Sequence, residues 1–388
     1  MRSAPVSSAC LAVAAIAAIA ACSSTAPAPA VSCDGVELIV AASDFVSSMV
    51  CGAPRCEAGP HTSGVDLGSD PQLTSGGGRT FFLARDKELV FELDPVCGRP
   101  TAKYSVHEQD RKYGNPHDVA AAPDGSLFVV LYNRPEILVL RDNAIVDRID
   151  ISSFDPEDGN PQADSIRIVE VGGVPKAFVA LEILDDTSTP ALRSSRPSAM
   201  LRIDVATRAI EARIELAGRN PINPMTEHDG ALFLAEPGNF NRADEPLAGI
   251  ERFDPRTGTT RLLVPERELG GSVVQTAVTD GCGAAIVAGP QMDLNPTSVV
   301  TFDPDSGKVF ASAAAPVFGP TADYDLWGLA WRGDLLFVGD RRRGASGFPI
   351  HVFEREPSPT GGPPTCNLRP VGRTIDLPRE PIALRAAR

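Results

Sequence analysis

The stretch NPHDVAAAPDGSLFVV (115–130) sets an imidazole, His117, beside a carboxylate, Asp118. An imidazole next to a carboxylate is the composition of a general base and its orienting acid. The flanking residues are strand formers, however, and neighbours in a strand point to opposite faces, so these two side chains are not expected to form one dyad. Of the other histidines, His228 falls in a turn, and His61 and His107 fall in loops. The sequence contains no GxSxG nucleophile elbow, HExxH zinc motif or phosphate-cradling loop. Arg341, Arg342 and Arg343 form one basic cluster able to pair with an acidic partner. Trp327 and Trp331, evenly spaced on one strand, share a face and read as packing between sheets. These residue types leave the catalytic residues unknown and weigh toward binding rather than turnover.

The cysteines speak of compartment. The chain has eight. Cys10 lies in a leader, where Arg2 and the apolar run LAVAAIAAIAA (11–21) form a secretory signal too short to span a bilayer. Ile19-Ala20-Ala21-Cys22 resembles the bacterial lipobox, which implies cleavage before Cys22 and its lipidation (palmitate among the acyl chains). Residues 1–21 are therefore read as signal peptide. Residues 22–32 are read as the lipidated cysteine and a Pro/Ser-rich tether, SSTAPAPAVS, and 33–388 as the folded domain. Ser23, in place of an inner-membrane retention Asp, points to the outer membrane, on its periplasmic or outward face. Cys33, Cys51, Cys56, Cys97, Cys282 and Cys366 remain, an even number in an exported chain, and are expected to form disulfides. None has zinc-site spacing. A net charge of −14 argues against nucleic acid, and the lipid anchor is the only membrane contact expected.

The elements that must position all these groups repeat along the chain. RFDPRTG (252–258) has a near copy in TFDPDSG (301–307), each an Asp-Pro turn closed by glycine. PDG (123–125), HDG (228–230) and TDG (279–281) each precede an apolar strand pattern: SLFVVLY, ALFLAEP and CGAAIVA. Weaker copies are CDG (33–35), GGG (76–78), VGG (171–173) and RGD (332–334). Every run is short, rich in Val, Ile, Leu and Phe, and bounded by turn residues, with no sustained helical period. Four antiparallel strands in a unit of roughly 40–57 residues describe a β-propeller blade.

The expected fold is all-β, a seven-bladed propeller with four antiparallel strands per blade. REPIALRAAR (379–388) matches the opening of a blade and then stops. It is expected to supply the innermost strand of blade 1 and close the ring, pairing edges that would otherwise be exposed. An open solenoid or two-sheet sandwich is the alternative. The phrase at 115–130 resembles secreted NHL-type and surface-layer-type propellers, and more loosely gluconolactonase-like ones. The resemblance extends over the mature chain as repeats and implies no defined activity.

In a propeller the first-to-second and third-to-fourth turns share one face, here called the bottom. All six cysteines map there, around blades 6, 7, 1 and 2. Cys51–Cys56 and Cys282–Cys366 are the preferred pairs, although the sequence leaves the connectivity open. The long loops at 185–198, 236–249, 289–298 and 339–349 map to the top, as does the acidic linker FDPEDGNPQAD (154–164). Gln72, His117, Asp118, Asp164, Asn223, Gln275, Asp325 and Glu380 open the inner strands and should ring the top mouth of the channel. By location alone this ring resembles the calcium-holding mouth of gluconolactonase-like propellers. The residues themselves require no metal and no cofactor. The reading is a monomeric, lipid-anchored binding module whose top loops engage a protein or glycan of the envelope. The alternative is a metal-dependent lactonase- or hydrolase-like enzyme acting at the top of the channel.

Overall fold

The short β-branched and aromatic runs pair with their nearest neighbours in sequence, and the chain folds as seven small antiparallel sheets. The computed structural model describes residues 33–56, 66–187, 189, 192–240, 245–289, 296–358 and 365–388. The signal and tether expected over residues 1–32, Cys22 included, lie outside the described residues, as does His61. Of the unit Met1–Asp34 only Cys33 and Asp34 are described, and Gly35–Arg388 form the other compact unit.

Blade 3 shows the plan. Its strands are Pro116–Ala121 (inner), Leu127–Leu131, Glu136–Arg141 and Ala144–Asp150 (outer), hydrogen-bonded in that order. The second strand, LFVVL, is buried at every residue because both faces meet a neighbouring blade. The outer strand instead alternates exposed and half-buried positions, as an edge in water should. Hydrophobic cores form between blades: Phe128, Val130, Ile137 and Val139 of blade 3 pack on Ile166, Ala177, Val179 and Leu201 of blade 4. The same arrangement recurs around the ring, with Phe337 and Ile350 of blade 7 against Leu38 and Val40 of blade 1.

The repeated FDP turns are the third-to-fourth hairpins of blades 5 and 6. Asp254 accepts Arg256 N at 2.8 Å through its side chain and Gly258 N at 2.8 Å through its carbonyl. Asp303 does the same with Asp305 N and Gly307 N. The last residue must take φ near +70 to +81°, which glycine adopts without cost. Blade 4 makes the same turn over Asp204–Arg208, with Arg208 forced to φ 62° where glycine would sit.

Ring closure follows the expected route. Pro381–Ala386 pairs antiparallel with Leu38–Ser43, setting Leu38 opposite Ala386, Ile39 opposite Arg385 and Val40 opposite Leu384. Blade 1 shows three strands among the described residues, this one, Leu38–Ser43 and Ser48–Ala53. Arg373–Glu37 and Arg379–Asp44 ion pairs lie across the same seam. Cys51–Cys56 and Cys282–Cys366 are disulfides, as preferred from sequence, and Cys33 and Cys97 are also disulfide-bonded. Such bonding marks a chain that matures outside the cytoplasm.

Candidate functional site on the top face

The inner strands of blades 3 to 7 each carry a register shift, in most of them within the first few residues. A bulge re-aims the side chains around it, and it decides what the channel-mouth residues touch. His117 and Asp118 part company, as strand alternation requires, but neither faces bulk water.

His117 points along the top of blades 2, 3 and 4. Its Nδ1 lies 2.9 Å from Asp164 Oδ2 and its Nε2 3.2 Å from Arg85 Nη1. Arg85 is in turn paired with Asp70. The imidazole stacks on Tyr132, centroids 4.3 Å apart and planes 20° apart, and the Tyr132 hydroxyl donates to Glu182 Oε2 at 2.8 Å. Burial lowers the His117 pKa, and the Asp164 carboxylate opposes this only in part. The neutral ring then donates from Nδ1 to Asp164 and accepts from Arg85 at Nε2. Burial, reinforced by the charge of Asp164, pushes the Glu182 carboxyl well above its usual range. Both ring nitrogens of His117 are occupied. This cluster ties three blades together and leaves no free base.

Asp118 serves the channel wall. Fully buried, it accepts Val119 N through Oδ1, and Ile166 N and Arg167 Nη1 through Oδ2, the last at 2.7 Å. Arg167 continues to Met225 O of blade 5 at 2.6 Å. Asn223 donates to Val274 O of the next blade at 2.7 Å, and Gln275 accepts Gly328 N of the next at 3.0 Å. Gln72 turns back to Leu73 N. Gln72 apart, the logic is common to them: an inner strand leaves its channel-side N–H and C=O groups unpaired, and a polar side chain of a neighbouring blade satisfies them.

Asp325 and Glu380 face a different neighbourhood, the loop after the second strand of blade 7. Glu380 Oε2 accepts Arg341 Nε and Nη2 at 3.0 and 2.9 Å. Asp325 accepts Asp323 N and lies 3.9 Å from Arg342 Nε. The three arginines each cover an aromatic ring: Arg341 lies over Trp327 and Phe45, Arg342 over Phe318, and Arg343 over Phe348. Arg342 is also paired with Asp340, which accepts from His351 as well. Burial would raise the Asp340 pKa, but the hydrogen bonds from His351 and Arg342 outweigh it and hold it at about 2. Arg343 is exposed and has no carboxylate partner among the described residues. Phe45 is 48% exposed at the tip of the Asp44–Ser47 turn. An arginine–aromatic surface therefore spans blades 7 and 1 of the top face. Trp327 belongs to it, whereas Trp331 lies at the other end of the strand, donating to Ala277 O at 3.1 Å.

The opposite side of the top face is acidic. Asp155, Glu157 and Asp158 of the linker between blades 3 and 4 gather near Asp186 of the blade 4 loop, whose pKa is raised by burial and by the charge of Asp158. Arg196 enters this group and pairs with Asp155. Blade 5 buries two further carboxyls, Glu236 and Glu251, both 0% exposed. Burial and the Glu251 charge push the Glu236 carboxyl well up, and Glu251 accepts Gly218 N at 2.7 Å. Among the described residues no group of three His, Cys, Asp or Glu side chains is disposed to hold a metal ion.

Glu182, Tyr132 and Arg85, which complete the His117 cluster, were not among the residues singled out by sequence. The usable signal was a carboxylate ending an apolar second strand, as in FVALE (178–182) and LFLAE (232–236).

These features define a seven-bladed β-propeller closed by its C-terminal strand. Among solved structures, the chain is similar to a streptogramin B lyase, with a TM-score of 0.51, 13% identity, and 81% of this chain and 86% of that one covered. It is also similar to AztD from Citrobacter koseri (TM-score 0.49, 10% identity, 90% and 97% covered) and to BamB from Moraxella catarrhalis (0.41, 14%, 77% and 76%). At such identities the likeness is one of fold. No protein-family model and no curated protein matches the sequence.

Proposed function

We propose that this chain is a lipid-anchored extracytoplasmic binding module that engages a protein or glycan of the envelope through its top face. The observation that carries the reading is the arginine–aromatic surface in which Phe45 and Arg343 are exposed and Arg341 and Trp327 are half-buried beside them. Exposed aromatic and arginine side chains are the groups that dominate binding energy at interfaces. The polar groups of the top face that could do chemistry, His117 above all, are instead spent on partners within the chain. The anchor part of the reading rests on the lipobox-like Ile19–Cys22 and the Pro/Ser-rich tether, and it makes the outer membrane the expected location.

The test uses the full chain in its own envelope. A photo-crosslinking residue at Phe45 or Arg343 should give a discrete adduct that the same residue at Val174, on the bottom face, does not. Adducts of equal yield from both faces, or none from the top, would overturn the assignment. Mass analysis of the mature chain should find Cys22 acylated at its new N-terminus, and an unmodified Cys22 would remove the anchor.

A further inference from the structure

The bottom half of the central channel opens as a cavity of about 480 Å³. That is within the range of sites for small molecules, roughly 300–1,000 Å³. Its walls include Ser75, Thr226, Thr276 and Trp331, and Arg167 and Arg385 reach into it from the inner strands of blades 4 and 1. The two guanidinium groups are unequally served. Arg167 has Asp118 Oδ2 at 2.7 Å, Ile166 O at 2.6 Å and Met225 O at 2.6 Å. Arg385 has only Leu384 O, at 2.8 Å, and no carboxylate within ion-pair distance among the described residues. Burial first, then the charge of Arg167, lower its pKa to about 10. It is therefore still a cation at neutral pH. Two cations thus share one carboxylate, Asp118, and the channel interior keeps an uncompensated positive charge. Arg385 is half-buried, so its charge is only partly desolvated, but a partly desolvated charge without a counterion is still costly, and a guanidinium with free N–H groups is built to receive a two-oxygen acceptor.

We propose that the bottom cavity is a binding site for a small oxyanion, a carboxylate or phosphate group seated on Arg385 with Arg167 behind it. The outer lining holds Glu227, Asp229 and Arg388, of mixed sign, which admits a ligand carrying polar or cationic groups outside its anionic head. Arg388 is itself held by Gly78 O at 2.7 Å and stays at the mouth. This site is separate from the top-face surface and does not rest on the binding-module reading.

Calorimetric titration of the mature protein with inorganic phosphate, malonate and citrate, at fixed ionic strength, tests the proposal. At least one should bind saturably at one site per chain. Phosphate alone binding points to phosphate esters, and malonate or citrate alone to free carboxylates. Arg385→Gln should weaken that binding at least tenfold while leaving the ligand-free melting temperature unchanged or higher, since it removes the uncompensated charge. Ser75→Trp, which fills the cavity from its wall and leaves both arginines in the chain, should abolish binding as well, and it decides the matter if Arg385→Gln fails to fold. Phe45→Ala on the top face should change nothing. Failure of all three anions to bind saturably would overturn the site, as would binding that both cavity variants retain.

Discussion

Asp118 and Arg167 meet at 2.7 Å inside the channel wall, with their side chains 0% and 5% exposed. The pair joins three blades, because Asp118 also accepts Ile166 N of blade 4 and Arg167 also donates to Met225 O of blade 5. Buried pairs of this kind are strongly destabilised when one member is removed, by about 3–5 kcal/mol, since the other is left charged and dry. Asp118→Asn should therefore lower the urea midpoint by a corresponding amount, although the amide can still accept Val119 N. Arg167→Met in the same background should recover part of the loss. A single variant with an unchanged midpoint would show that the pair does not brace the ring.

Glu266 provides a pH dependence of defined sign. It is buried in the short helix Glu266–Leu269, accepts Val273 N at 3.0 Å, and its pKa is raised by burial to about 8 from an ordinary 4.5. A carboxyl whose folded pKa lies above its unfolded one favours the fold while it is protonated. That contribution is full below about 4.5 and is lost as pH rises through about 8. Glu182 and Glu236 are raised as well and act in the same direction. Glu266→Gln, which keeps an acceptor for Val273 N, should flatten the fall in melting temperature between pH 5 and pH 8. The difference from the parent should be greatest at the alkaline end. A parallel displacement of the two curves would mean that Glu266 does not titrate in this range.

The architecture was legible because its signals are local. The Asp-Gly turns, the five-to-eight-residue apolar runs and the truncated last blade each lie within a few residues of one another. The preferred cysteine pairs, one local and one between neighbouring blades, agree with the structure. The site was less legible, for a physical reason: its contacts join residues in adjacent blades, such as His117 with Asp164 and Asn223 with Val274, far apart in sequence. Strand alternation separates His117 from Asp118 but does not say which neighbour each meets, because the register shift at Pro116/Asp118 intervenes. The Asp204–Arg208 hairpin carries no such sequence signal, because Arg208 occupies the position glycine marks elsewhere.

The two defined disulfides should differ in what they contribute. Cys51–Cys56 spans 5 residues and Cys282–Cys366 spans 84. On loop-closure entropy the first restricts the unfolded chain by about 2 kcal/mol and the second by about 4.5 kcal/mol. The longer bridge also joins the bottom turns of blades 6 and 7. Replacing Cys282 and Cys366 together with serine should lower stability clearly more than replacing Cys51 and Cys56, as read by denaturant midpoint at equal slope. Thiol titration of the unfolded, unreduced mature chain should detect no free sulfhydryl among the six. Two or more reactive thiols, or an equal loss from both double variants, would contradict this ranking.

Closure is the most demanding claim on the last ten residues. Pro381–Ala386 hydrogen-bonds along Leu38–Ala42, and Leu384 is buried in the core shared by blades 7 and 1. Glu380 O accepts Ser43 N above the strand, and Glu37 O accepts Ala387 N below it. Removing 379–388 would leave blade 1 with a bare inner edge, expose the face of Phe337 and Leu38, and release Arg341 from Glu380. An exposed edge and an exposed apolar face together favour aggregation over folding. The deletion should give no soluble folded protein. Supplying a peptide of residues 379–388 during refolding should recover part of the yield, because the missing strand is a separate segment that need only pair and pack. If the truncated chain melts at the parent temperature, the ring does not depend on this strand. If it is lost and the peptide does not rescue it, the seam ion pairs and the chain connection at 373–379 contribute more to closure than the strand itself.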